Sequence, residues 1–244
     1  MKDGFFRLRQ IMDHANIIQS IAIWALPLVF AVSFHEAAHG FIAHRLGDPT
    51  ARMLGRLSLN PIRHVDLWGT IIIPLVLIIT KVPILFGYAK PVPVNPRYFK
   101  DPKKGMALVA LSGPGINLSL ALVSGLVFRI ILWLNPDLYP FILGGGGTFA
   151  GAGISAWLLV PLLIMLIKSV QINVILAVFN LLPIPPLDGG RVMMGILPDH
   201  QAQKLGQIEP WGFFIVIFLI MLNPFKVMNF LYGIMGFLSR LFLG

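Results

Sequence analysis

The chain has 244 residues, of which 57% are hydrophobic and only 12% charged, with a mean hydropathy of +0.82. Soluble domains carry about 25% charged residues, so the composition excludes a soluble globular protein and implies a polytopic membrane protein. The formal net charge of +9 comes from Lys and Arg flanking apolar runs, a placement that suits membrane orientation and anionic lipid headgroups and argues against a nucleic-acid partner.

Residues 1–15, MKDGFFRLRQIMDHA, mix Phe and Leu with Lys2, Arg7 and Arg9 and read as a short interfacial helix ahead of a single membrane-embedded domain, 16–244. The first span is predicted over 16–46, ended by Gly47 and Asp48-Pro49. Ala31-Val32-Ser33 loosely resembles a signal-cleavage site, but the segment before the apolar run is long for a signal and the run reads as a retained helix. Residues 67–80 are apolar, carry Pro74, and fall short of the roughly 20 residues a crossing needs. They are expected to dip in and return, which keeps the basic loops 44–66 and 81–105 on one side; Lys2, Arg7 and Arg9 argue the other way. The stretch at about 81–100, ending GYAKPVPVNPRYFK, is rich in Pro and alternates, as extended chain or an edge strand does. Spans follow at 106–134 and 154–182, joined by a loose loop without Lys or Arg. A short helix is predicted from Arg191 to Leu197, then an apolar pair, 211–222 and 225–243, split at Asn223-Pro224. The predicted class is an all-α polytopic membrane protein with a small extended or β-like loop.

The chemistry begins at HEAAH, residues 35–39, near the end of the first span. Ionisable groups at membrane depth are costly and usually functional. His35 and His39, four apart, share one helix face and can reach one zinc ion. Glu36 sits beside that face, placed to take a proton from a water at the metal without ligating. Hydrolytic zinc takes a third protein ligand and keeps one position open. Cysteine is absent, so thiolates cannot serve. The best candidate is Asp188 in FNLLPIPPLDGG, residues 179–190. Pro183, Pro185 and Pro186 stop the preceding helix, and Gly189 and Gly190 let the backbone turn sharply beside the carboxylate. The alternative is that Asp188 only caps the helix that follows. Asn117, Asn173 and Asn180 either hydrogen-bond substrate, orient a ligand, or tie helices together; Asn180 ranks first because it lies nearest the Asp188 break. His44 reads as an ordinary boundary residue, His64 and Asp66 as interfacial, and Lys168 as snorkelling or facing a polar interior.

HEAAH, then LSGPGIN (111–117), then FNLLPIPPLDGG resemble the site-2 protease family of intramembrane zinc metalloproteases, in the family's order, over about residues 30–200; GYAKPVPVNP is also similar to the loop after the first motif in many bacterial members. The resemblance implies one zinc ion held by His35, His39 and Asp188, Glu36 as general base, and a three-helix core at 16–46, 106–134 and 154–182. It further implies a transmembrane-helix protein as substrate, cut within the lipid bilayer; the compact length and lack of a targeting extension suggest a multi-pass home in a prokaryotic inner membrane. Two departures stand out: no PDZ or CBS domain is recognised, and no complete helix precedes HEAAH. A helical substrate must unwind to expose its carbonyls, and the KPVPVNP segment is expected to pair with it as an added strand. The competing readings are a metal-ion transporter and an inactive binding partner. A transporter should spread polar residues through several helices, and an inactive partner has no need of Glu36.

Overall fold

A computed structural model describes residues 2–64, 66–72, 76, 90–143 and 153–244. The helices are α1 (Lys2–Arg45), α2 (Thr50–Met53), α3 (Pro102–Leu134), α4 (Tyr139–Leu143), α5 (Ile154–Asn180), α6 (Asp188–Ile196), α7 (Asp199–Gly206), α8 (Gly212–Leu222) and α9 (Val227–Leu243). Among the described residues, four stretches are long and apolar enough to cross a bilayer: Ile23–Arg45, Pro102–Leu134, Ala156–Asn180 and Asp199–Leu222. The chain is an integral, multi-pass, all-α membrane protein.

Helices α1, α3 and α5 pack against one another in all three pairings, and α6 folds back onto α3. The layer between α3, α5 and α9 is filled by Ala121, Val170, Val174, Met228, Leu231 and Met235. Small residues set how closely these helices approach. A Cβ on Gly125 would lie 2.4 Å from Phe242 O, and one on Gly195 would lie 2.4 Å from Ala107 Cβ. Without side chains there, helix backbones meet directly, the usual basis of helix association in lipid. The stretch Asp199–Leu222 is almost wholly exposed, with Phe213, Phe214 and Phe218 outward, as lipid contact requires.

Several expectations change. Residues 2–15 form the first turns of α1 rather than a separate helix. The extended loop at about 81–100 holds no strand among the described residues: 90–95 are irregular, Pro96–Tyr98 is a 3-10 turn, and 81–89 lie outside the described residues. The cause is in the hydrogen bonds. Pro91 and Pro93 have no N–H, and the N–H groups of Lys90, Val92 and Asn95 go to His64 O, Glu36 and Asp48 instead of a ladder. Leu67–Ile72 is a π-helical turn, and most of 73–80, where the dip was expected, lies outside the described residues. The loose loop after α3 contains Pro136–Leu138 and α4. Helix α6 starts at Asp188, not Arg191. Helix α7, DHQAQKLG, lies outside the sequence expectations because Ala202 and Leu205 are too few apolar residues to set a period.

Candidate metal centre

His35 and His39 stand one turn apart on α1, ring centroids 4.7 Å apart and nearly perpendicular. They lie ten and six residues before Arg45, about 15 and 9 Å along the axis from that end. The facing wall is α3. At Gly113 an added Cβ would fall 2.5 Å from His35 Cε1, 2.6 Å from His39 Cε1 and 2.7 Å from His35 Nε2. The glycine of LSGPGIN therefore lets a helix backbone lie flat against both imidazoles.

Asp188 arrives from the far side. The turn LPIPPLDGG coils so tightly that a Cβ on Gly189 would lie 2.3 Å from Leu181 O, and one on Gly190 2.3 Å from Pro185 N. This places Asp188 at the first position of α6, after Leu187. Its carboxylate makes no hydrogen bond to that helix among the described residues, so capping does not account for it. Instead Oδ2 lies 3.1 Å from His35 Nε2 and Oδ1 lies 3.5 Å from His39 Nε2. The three side chains are only 10, 12 and 10% exposed, for His35, His39 and Asp188 respectively. One ligand atom from each lies within 4.8 Å of the others.

Hydrogen bonds behind the rings fix their tautomers. His39 Nδ1 lies 2.8 Å from Val109 O, and a carbonyl only accepts, so Nδ1 carries the proton. His35 Nδ1 lies 2.6 Å from Asn117 Oδ1. The Asn117 amide is oriented by its other end, which donates to Ala31 O at 3.2 Å and to Asn173 Oδ1 at 2.7 Å. Asn173 in turn donates to Ser169 O at 2.9 Å. The chain of amides leaves Oδ1 of Asn117 as acceptor and His35 Nδ1 as donor. With its proton on Nδ1, a neutral ring turns the Nε2 lone pair toward a carboxylate whose Oδ2 is buried without a hydrogen-bond partner. Held neutral, the two rings and the carboxylate would turn electron pairs toward one point, an arrangement that calls for a cation.

The set fits zinc. Two imidazole nitrogens and one carboxylate oxygen are a hydrolytic donor set with one position left over. Bonds of about 2.0–2.1 Å in a tetrahedron put ligands about 3.3 Å apart, close to the 3.1 and 3.5 Å separations here. The other named residues distribute as follows. Glu36 flanks the rings, and its Oε2 accepts the Val92 N–H at 2.9 Å. Asn180 ends α5, half-buried, with no hydrogen bond to the cluster among the described residues. Lys168 sits over the Trp24 ring, 4.2 Å from its centroid, and donates to Gln171. His64 is buried and donates from Nε2 to Ser58 O. Sequence reasoning missed the contacts of Gly113, Val109 O and Val92. Only Gly113 left a signal, as one of the two glycines of LSGPGIN.

Outside the cluster, Asp48 ends the loop after α1. Burial pushes its pKa up, but hydrogen bonds from the Thr50 hydroxyl, the Asn95 N–H and the Thr50 N–H outweigh it and hold it below the usual carboxylate range.

The profile of Peptidase family M50 matches residues 155–223, which cover α5, Asp188 and the start of the last apolar pair. YwhC of Bacillus subtilis, named as a candidate zinc metalloprotease, is 35% identical over 82% of this chain and 81% of its own. Rip2 of Mycolicibacterium smegmatis, similarly named, is 29% identical over 82% of this chain and 65% of its own. MJ0611 of Methanocaldococcus jannaschii, also similarly named, is 30% identical over 77% of this chain and 85% of its own. No solved structure matches the chain.

Proposed function

The chain belongs to the M50, site-2-protease-like family of zinc metalloproteases, and from that premise we propose that His35, His39 and Asp188 hold one zinc ion per chain while Glu36 serves as general base for cutting a membrane-spanning substrate. It is a membrane-embedded metalloprotease. The observation that supports the site assignment is the convergence of His35, His39 and Asp188, with both Nδ1 atoms engaged behind the rings and Asp188 Oδ2 buried without a hydrogen-bond partner. Zinc, when bound, lowers the pKa of a water to about 7 and polarises the scissile carbonyl.

The residues do the rest. Asn117 and Val109 O hold the imidazoles edge-on with Nε2 forward. Glu36 keeps Oε2 on the Val92 N–H and has Oε1 free of any hydrogen bond among the described residues. Oε1 accepts the proton of the attacking water and returns it to the departing amide nitrogen, a role contributing about 10²–10⁴-fold. Burial of all three ligands excludes bulk water from the reacting bond. The substrate is a transmembrane-helix protein, unwound locally so that a carbonyl reaches the cluster. Residues 16–244 form one catalytic unit, in a prokaryotic cell membrane.

The test uses detergent-purified protein and a membrane-spanning peptide, with and without chelator, beside Glu36→Gln. The expected result is zinc in both proteins, cleavage only by the wild type, and loss of cleavage on chelation. Zinc flux into liposomes that persists in Glu36→Gln, without cleavage by either protein, would make the chain a transporter instead.

A further inference from the structure

Between Pro91 and Pro93, Val92 holds the only main-chain N–H. It donates to Glu36 Oε2 at 2.9 Å. The Val92 side chain is 7% exposed and seats against Gly40, where an added Cβ would lie 3.1 Å from Val92 Cγ1. The glycine after HEAAH thus makes room for this valine. Residues 90–95 form a strap fastened on both sides of Val92. Lys90 N–H donates to His64 O at 2.9 Å, and Arg56 Nη2 donates to Lys90 O at 2.7 Å. Asn95 N–H donates to Asp48 Oδ2 at 2.7 Å.

We propose that the Val92 N–H is a positioning group for the general base: it holds one carboxylate oxygen of Glu36 so that the other faces the attacking water. The proposal rests on the reading of Glu36 as base. Glu has three rotatable bonds, and an untethered carboxylate samples many rotamers, few of them productive. A strap fixed at three points, stiffened by two prolines, removes that freedom. The same N–H has one proton and cannot also pair with a substrate strand. Pro91 and Pro93 offer carbonyls alone. Strand addition through Val92 and base positioning by Val92 are therefore exclusive, and they separate kinetically: loss of substrate pairing raises KM, loss of base positioning lowers kcat.

The experiment measures kcat, KM and zinc content for the full-length protein acting on a membrane-spanning peptide, in Val92→Pro, Val92→Ala, Arg56→Gln and Glu36→Gln. Val92→Pro removes the N–H and is expected to lower kcat about 10- to 100-fold, the scale of lost orienting contacts around a metal site, with KM and zinc content unchanged. Val92→Ala keeps the N–H and restores kcat. A raised KM at constant kcat, or full kcat, in Val92→Pro overturns the proposal. If Val92→Pro fails to hold zinc, Arg56→Gln decides, since Arg56 is an outlying fastener of the strap. Lower kcat at constant KM there supports the tether, and unchanged kcat overturns it. Cleavage surviving in Glu36→Gln removes the base reading itself, whereas an inert Glu36→Gln beside a fully active Val92→Pro removes only the tether.

Discussion

Gly113 and Gly115 stand two residues apart on α3, yet a methyl group at Gly113 would press into both imidazoles and one at Gly115 would meet nothing within 4 Å. Gly113→Ala should therefore abolish or greatly weaken zinc binding while leaving helicity intact, and Gly115→Ala should bind zinc as the wild type does. Zinc content by mass spectrometry and circular dichroism check the pair. Asn117 acts at one remove. Replacing it with Leu takes away the acceptor for His35 Nδ1–H and strips donors from Ala31 O and Asn173 Oδ1. The expected result is a 10- to 100-fold loss of zinc affinity, read by competition with a chelator of known affinity. Both histidines and the aspartate were legible as a cluster able to hold a metal because helix periodicity and proline placement are local rules. The choice among asparagines was not. Nearness in sequence to Asp188 favours Asn180, but helix packing brings Asn117 of α3 to the ring.

The loop elements at the foot of α1 are held by Asp48, which binds the Thr50 N–H and hydroxyl with one oxygen and the Asn95 N–H with the other. Its folded pKa lies below the unfolded value of about 3.9. The clamp is thus fully present above about pH 4 and is lost as pH falls through the folded pKa. The unfolding temperature of Asp48→Ala should sit below that of the wild type at pH 7, with the gap closing on titration below about pH 4; a gap that widens toward acid would contradict this. The same clamp helps explain why the Pro-rich stretch, expected to be extended or strand-like, holds no strand among its described residues. Its alternation is one of residue type and not of burial: Lys90 and Pro91 are both exposed, Val92 is buried and 93–95 are all half-buried. Its N–H groups, however, were claimed by Glu36, Asp48 and His64 across loops whose partners no local pattern reveals. Helix α6 was displaced by three residues for a related reason: two glycines looked like chain turn, and tight packing on Leu181 and Pro185 makes them helix.

At the scale of the molecule, hydropathy and length sufficed for the spans that build the core, because a bilayer demands long apolar helices whatever their partners. What hydropathy could not give was the meeting of α1, α3, α5 and α6 around one point, which depends on which glycines let backbones touch. Metal bound at the proposed site would couple to the fold through that meeting, since His35, His39 and Asp188 come from α1 and α6, far apart in sequence. Zinc at one hundred times its dissociation constant should add about 2.7 kcal/mol to stability. Chelation should lower the unfolding temperature by several degrees and zinc should restore it, with neither effect in Asp188→Ala. The central claim is that two imidazoles and one carboxylate hold a single zinc ion. X-ray absorption spectroscopy at the zinc edge, on the wild type and Asp188→Ala, tests it most directly. The account expects two imidazole nitrogens and oxygen scatterers at about 2.0–2.2 Å in the wild type, with the site emptied or its oxygen shell altered in Asp188→Ala. An unchanged spectrum in Asp188→Ala, or one without imidazole scattering in the wild type, would contradict it.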